Sequence, residues 1–191
     1  MAIPQFRAAS TKAAGTGAVT PTLPTGVTAN DIVILIATTI AGGSITITAA
    51  GSVTPWTAIT GSPIDVTGGE KLYVWWGRYS SGSTGPTVTP GGNHCVAATA
   101  AFSGCETSGS PIDNQAIGSE ATSDTTLSFV TVISTTVADC LVLLASSTGM
   151  DTNTAQHSAQ ANGNLSTVAE RVDHNTTSGG GGGYEIVSGG L

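Results

Sequence analysis

Charge is the first thing that this sequence lacks. Only 9% of its 191 residues are charged, whereas about 25% is usual for a soluble domain. Five of the charged residues are basic, they are scattered along the chain, and the formal net charge is −7. A basic patch that binds nucleic acid is therefore disfavoured. The surface must be built from Thr, Ser, Gly, Asn and Ala, which suits a protein that packs against neighbours in an assembly.

Long apolar runs and a leader sequence are also missing. No segment reaches the roughly 20 apolar residues that span a bilayer. The opening MAIPQFRAASTK has no charged region followed by an apolar region, as a secretory leader would. We therefore expect that the protein is neither embedded in a membrane nor exported by the Sec pathway. We also expect that it is synthesised in a reducing cytoplasm.

Cysteine is scarce and odd in number: Cys95, Cys105 and Cys140. The first two flank one predicted strand, which at about 3.3 Å per residue separates them by about 30 Å, too far for a disulfide. Because free cysteines are commonly buried, we expect three buried, reduced thiols.

Short runs rich in Val, Ile, Thr and aromatic residues are abundant, and Gly and Pro turn signals separate them. These features predict an all-β fold, an antiparallel β-sandwich that is jelly-roll-like, with little or no helix. We expect residues 28–191 to form a single sandwich domain with a Gly-rich loop at 179–183. The runs are DIVILIATT, SITITA, WTAIT, EKLYVWWGRY, PTVTP, HCVAATAAF, TLSFVTV, DCLVLLASS, STVAERVDH and YEIVSG.

Residues 1–27 allow two interpretations, an extended N-terminal arm that reaches a neighbour or an ordinary edge strand. Prolines, small residues and two basic side chains favour the arm. Its candidate assembly residues are Pro4, Phe6, Arg7 and Lys12.

Two apolar segments, DIVILIATT from Asp31 and DCLVLLASS from Asp139, resemble each other. A strand that is apolar on both faces belongs in the middle of a sheet, so we expect two central strands in related positions. Each Asp is expected to accept a backbone N–H bond at the turn that enters its strand. GSPID occurs twice, ending at Asp65 and Asp113, and predicts a turn in which Asp bonds its own backbone.

The strand EKLYVWWGRY carries four of the nine Phe, Trp and Tyr residues. Alternation places Leu72, Val74 and Trp76 on a core face. The opposite face presents Tyr73, Trp75 and Tyr79, which could bind sugar rings, form a subunit interface or pack beneath a loop. We expect burial, because the face formed by Cys95, Ala97, Thr99 and Ala101 on HCVAATAAF is small enough to accommodate large aromatic rings.

Sequence motifs for catalysis are absent, since the chain contains no G-x-S-x-G, Walker, H-E-x-x-H or C-x-x-C sequence. His94, His157 and His174 are far apart in the sequence and are expected to face solvent or to bond locally. We therefore predict no catalytic, cofactor-binding or metal-ligating residues and no enzyme activity.

The succession NDIVILIATT, PWTAIT, EKLYVWWGRY, PTVT, AATAAFSGCETSGSPID and TTLSFVTVISTTVADCLVLLASST resembles β-sandwich virion proteins of tailed bacteriophages. The resemblance implies a non-enzymatic structural component of the virion, most often a capsid decoration (cement) protein that stabilises the shell through subunit contacts. It also implies a homo-oligomer, with a trimer favoured by analogy, that contacts the major capsid or tail protein but neither nucleic acid nor membrane. Members of this group continue through a further strand after the Gly-rich segment, so this final strand is expected either to be missing here or to be supplied by a neighbour.

The alternative function is a carbohydrate-binding or adhesin-type module at a tail or fibre, with Tyr73, Trp75 and Tyr79 as the glycan platform. A degenerate hydrolase domain is a third and weaker class.

Overall fold

A computed structural model of the chain describes residues 3–40, 43–65, 69–91, 94–120, 126, 128, 133–149, 157–176 and 183–191. These residues form twelve β-strands and no helix, which confirms the all-β fold class. No helix in the described part of the chain is long and apolar enough to cross a membrane. The strands are β1 (Gln5–Ala9), β2 (Ala13–Gly15), β3 (Ile32–Thr39), β4 (Ile45–Ala49), β5 (Val53–Ala58), β6 (Ile64–Asp65), β7 (Lys71–Tyr79), β8 (Thr87–Pro90), β9 (Cys95–Ser103), β10 (Leu141–Thr148), β11 (Ser166–Asn175) and β12 (Gly183–Gly190).

The largest sheet is antiparallel and has the strand order β1-β9-β3-β7-β5, with β2 also paired to β9 and β6 to β7. Strand β3 lies at its centre and pairs along its whole length with β7 and with β9. Every residue of β3 is buried. The prediction that DIVILIATT forms a central strand with two apolar faces is confirmed.

The two faces of β3 pack against different layers. Ile32, Ile34 and Ile36 share a core with residues of the three-stranded sheet β10-β12-β11, including Tyr184 and Ile186. The opposite face of β3 packs against the two-stranded sheet β4-β8 and against the N-terminal segment. The fold is therefore an antiparallel β-sandwich with the large sheet between two smaller layers. Its jelly-roll connectivity stays a prediction.

The second apolar segment does not occupy an equivalent position. Strand β10 lies at the edge of its sheet, and among the described strands it pairs only with β12. Leu143 in its middle is 37% exposed. The prediction of two central strands in related positions is wrong. Strand β12 is the central strand of this three-stranded sheet. Its side chains Tyr184 and Ile186 pack against the large sheet.

The N-terminal segment is part of the large sheet. Strands β1 and β2 run consecutively along β9, from the pair Gln5–Ser103 to the pair Gly15–Cys95. The residues that follow cross the face of the sheet, where Val19 bridges to Val88. Residues 5–15 thus form an edge strand with an interruption, which is the second of the two interpretations of residues 1–27.

Two sequence features fall largely outside the described residues. Most of the predicted strand TLSFVTV lies there, and so does the Gly-rich loop at 179–183 except for Gly183, the first residue of β12.

Candidate functional site: an aromatic strip beside a shallow groove

Strand β7 alternates its side chains as its sequence predicts. Leu72, Val74 and Trp76 face the core shared with the three-stranded sheet. On the other face, Tyr73 is 7% exposed, and its ring stacks on that of Trp75 with centroids 5.4 Å apart and planes 18° apart. Trp75 is only half-buried. This face is therefore buried at one end and partly open in the middle.

Tyr79 lies at the other end of the same face. Its side chain is half-buried, and its hydroxyl donates to the carbonyl of Gly82 at 2.6 Å. Tyr79 packs against a small core of Val33, Val53 and Ala101, so it is separated from the stacked pair by the position of Gly77.

A tryptophan from the neighbouring strand fills the gap at Gly77. Trp56 on β5 is paired with Gly77 in the register of the sheet, and a Cβ at position 77 would lie 3.3 Å from the Trp56 ring and 2.4 Å from a methyl group of Val53. The indole N–H of Trp56 donates to the carbonyl of Ala50 at 2.9 Å. Tyr73, Trp75, Trp56 and Tyr79 thus follow one another across this face, and we call these four residues the aromatic strip.

Sequence reasoning missed Trp56. The signal was present, because Trp56 lies in the short run WTAIT next to the aromatic strand, but the sequence does not show which residue of β5 is paired with Gly77. A glycine within an aromatic strand was itself a sign that a ring from another strand approaches there.

The middle of the aromatic strip opens into a shallow groove of about 490 Å³, which we call the strip groove. None of the described residues that line it is charged. Thr48 there shares a hydrogen bond of 2.9 Å with the hydroxyl of Thr89. The lining residues are Ile45, Thr46, Ile47, Thr48, Ala50, Trp56 and Trp75.

A second groove, of about 330 Å³, lies by Trp76 on the opposite face of β7. It includes Asp113, whose carboxylate accepts from the backbone N–H of Thr136 at 2.6 Å and from its hydroxyl. These bonds lower the pKa of Asp113, the hydroxyl having the largest effect. The prediction that this Asp bonds its own turn is wrong, because Thr136 lies 23 residues further along the chain.

The small face of β9 shares its cores with the aromatic face in part, since Tyr73 lies in the same cluster as Cys95 and Ala97 and Tyr79 in that of Ala101. Cys95 and Ala97 pack with Val19, Ile45 and Val88. The Thr99 hydroxyl donates to the carbonyl of Thr22 at 2.7 Å. The N-terminal segment and the two-stranded sheet cover most of this face, because β3 lies between β9 and the aromatic strand.

The four candidate assembly residues lie on or beside β1 and β2. The Phe6 ring packs edge-to-face on Phe102 with centroids 5.7 Å apart, and the Arg171 guanidinium lies 4.9 Å from the centre of the Phe6 ring. Lys12 donates to the carbonyl of Asn175. Pro4 precedes β1 and is half-buried.

Arg7 forms an ion pair with the buried carboxylate of Asp31. Its Nε lies 2.6 Å from Asp31 Oδ2, and a second nitrogen donates to Oδ1 at 3.1 Å. Asp31 also accepts the backbone N–H of Thr28 at 2.8 Å, which confirms the predicted turn bond at the start of β3. The Asp31 side chain is 4% exposed, so Arg7 compensates a charge that is almost completely removed from water.

Glu70, just before β7, is a buried acid without a charged partner among the described residues. It is 7% exposed, and burial raises its pKa to about 9, an effect that the nearby Thr38 hydroxyl reduces. Neither carboxyl oxygen makes a hydrogen bond of normal geometry to a described residue. The raised pKa means that Glu70 is protonated at neutral pH.

Acidic residues of the three-stranded sheet bond a neighbouring strand and the segment that precedes β11. His157 Nδ1 lies 3.3 Å from Asp173 Oδ1. Glu185 accepts from the Ser146 hydroxyl and from the Gln160 amide, both at 2.8 Å. No group of three or more His, Cys, Asp or Glu side chains that could hold a metal ion occurs in the described part of the chain.

The three cysteines are free thiols. Cys95 is buried, whereas Cys105 and Cys140 are half-buried, so the expectation of complete burial is right only for Cys95. Burial raises the pKa of Cys95 and of Cys105 to about 11 in each case. Neither thiol has the lowered pKa of a reactive cysteine.

Comparisons with known proteins return no matching family model, no matching curated protein and no matching solved structure.

Proposed function

We propose that this chain is a non-enzymatic structural component of a phage virion, and that it decorates the capsid as a homo-oligomer. The observation that carries the proposal is the place of the motif segments in the fold. The segments that resemble virion proteins include β3, β7 and β9, which are the three central strands of the large sheet. The resemblance therefore concerns the core strands, which form the framework that a stable building unit requires.

The use of charge supports the same proposal. In this chain charged side chains connect separate segments: Arg7 joins β1 to the turn before β3, and Lys71 joins β7 to Asp65 of β6. The remaining surface has few charges, because only 9% of all residues are charged. A surface of this kind can approach a neighbouring subunit at a small cost of ion desolvation.

We propose that residues outside the N-terminal segment make the contacts with the capsid shell. Phe6, Arg7 and Lys12 all contact other parts of the same chain, so they are engaged before any neighbour arrives. Deleting residues 1–12 removes these contacts together with β1, and we expect a lower melting temperature of the isolated subunit. A truncated chain with unchanged melting temperature and impaired particle binding would instead restore the assembly-arm interpretation.

The test of the proposal is the composition of purified particles. Phage particles from a culture that produces the chain are analysed by quantitative mass spectrometry, with an abundant cytoplasmic host protein as the control for carry-over. We expect the chain at a copy number comparable to that of the major capsid protein. A few copies per particle would indicate a tail location, and absence above the carry-over level would refute a virion role.

Cryo-electron microscopy of the same particles tests the partner. Density for the β-sandwich on the outer surface of the shell, grouped around a symmetry axis, is expected. Light scattering of the isolated 18.8 kDa chain measures its oligomeric state, for which we propose a trimer. A strictly monomeric chain, both in solution and on the particle, would contradict the homo-oligomer.

A carbohydrate-binding role remains the second candidate, because one specific feature favours it. Trp75 and Trp56 are half-buried rather than fully covered, and both line the strip groove.

A further inference from the structure

The strip groove combines two half-exposed indole rings with the strand β4, and none of its described lining residues is charged. We infer that this groove binds a neutral oligosaccharide, with Trp56 and Trp75 as the aromatic platform. The inference rests on the second candidate function, the carbohydrate-binding role, and names its ligand class; it does not depend on a structural role in a particle.

The two rings are held in place before any ligand arrives. Trp75 is stacked on the buried Tyr73. Trp56 lies over Gly77, and the bond from its indole N–H to the Ala50 carbonyl restricts its rotation. A ring that is already fixed loses little conformational freedom on binding. The apolar faces of sugar rings pack on such surfaces, since aromatic side chains offer a large, flat, apolar area.

The polar part of the lining comes from the backbone of β4. Ile45 and Ile47 pack toward the large sheet, so the side chains of Thr46 and Thr48, which alternate with them, point to the other face of β4, where the Thr48 hydroxyl bonds that of Thr89. Among the described strands β4 pairs only with β8, so the backbone N–H and C=O groups on its other edge have no strand partner there and can bond the hydroxyl groups of a sugar.

The absence of charge from the described lining selects the ligand class. The chain has a net charge of −7, which repels anions, and no described lysine or arginine lines the strip groove to compensate for this. An anionic saccharide or a phosphate compound would have no cationic partner there. A groove that is open to solvent also suits a few units of an extended chain better than a compact ligand, which requires a more enclosed pocket.

The second groove, beside Trp76, provides a matched control. It lies on the opposite face of the same strand and is lined by one tryptophan and by the carboxylate of Asp113. Substitution of Trp76 thus changes a tryptophan adjacent in sequence without touching the strip groove.

The test measures binding of maltohexaose, cellohexaose and chitohexaose as neutral probes and of a galacturonic acid hexamer as the anionic probe. Saturation-transfer NMR detects weak binding, and quenching of tryptophan fluorescence gives the Kd. We expect at least one neutral probe to bind with a Kd below about 10 mM, and the anionic probe not to bind. The Trp75→Ala variant should lose at least about tenfold in affinity.

Two further variants give a matched comparison of the two grooves. Trp75→Phe keeps an aromatic ring beside Tyr73, so it should bind more weakly than wild type but more tightly than Trp75→Ala. Trp76→Phe should leave the Kd unchanged, and circular dichroism shows whether each variant is folded. The inference is overturned if no neutral probe binds at about 10 mM, if the anionic probe binds better, or if Trp76→Phe weakens binding as much as Trp75→Phe. These outcomes are independent of whether the chain is found in virus particles.

Discussion

Replacing Glu70 by Gln should stabilise the protein, and the gain should grow as the pH rises. The carboxyl of Glu70 is almost completely buried, and burial raises its pKa from 4.5 to about 9. In the unfolded chain this acid ionises above pH 4.5, whereas in the folded protein it stays protonated until about pH 9. Folding at an intermediate pH therefore requires uptake of a proton, and the free energy of unfolding falls as the pH rises through this window.

The size of the stability difference follows from the gap between the pKa values of Glu70 in the unfolded and the folded protein. Each pH unit between the two pKa values costs about 1.4 kcal/mol. The wild-type protein therefore loses about 0.7 kcal/mol at pH 5 and about 5 kcal/mol at pH 8, relative to a protein with an uncharged amide at position 70. The second value is comparable to the whole stability of many domains, about 5–15 kcal/mol.

Urea unfolding followed by tryptophan fluorescence at pH 5, 6, 7 and 8 measures the effect. The difference in the free energy of unfolding between Glu70→Gln and wild type should widen by about 4 kcal/mol over this range. Glu106→Gln, which changes an exposed carboxyl group, is the matched control. A difference that stays constant with pH, or that widens as the pH falls, would refute a buried, protonated Glu70.

Three other substitutions and reactions test the packing. Arg7→Ala leaves Asp31 buried without its partner and should lower the free energy of unfolding by about 3 kcal/mol; urea unfolding measures this, and recovery in the double variant with Asp31→Asn would confirm the cause. Gly77→Ala places a Cβ 2.4 Å from a methyl group of Val53 and should cost about 1–3 kcal/mol, so an unchanged melting temperature would contradict the close approach. Cys95, whose pKa burial raises to about 11, should react with a thiol reagent at pH 8 only after unfolding, and fast labelling of the native protein would disprove its burial.

The central strands could be predicted from the sequence because their signal is local. In β3 and β7, alternation alone assigns each side chain to a face, and the structure keeps those assignments for Ile34 and Trp76. Composition and turn residues were sufficient for the all-β class, since both reflect the conformational preferences of single residues.

Pairing between distant segments could not be predicted in the same way. The segment DCLVLLASS is as apolar as DIVILIATT, yet it forms an edge strand, because hydrophobicity does not show which strands lie on either side. The roles of Trp56 and of Arg7 depend on contacts with residues 21 and 24 positions away. The candidate site was therefore predicted only in part: Trp75 was identified, but its partner Trp56 was not.

The position of β1 and β2 along β9 has a consequence for synthesis on the ribosome. The carbonyl of Gln5 faces the side chain of Ser103, 98 residues later in the chain, and ribosomes add about 5–20 residues per second. The first edge of the large sheet therefore waits about 5–20 s for its partner strand to emerge. During that time a strongly apolar segment would be prone to aggregate. Residues 8–17 consist of Ala, Thr, Gly, Ser and Lys, so this part of the nascent chain presents no large apolar side chain before β9 is available to pair with it.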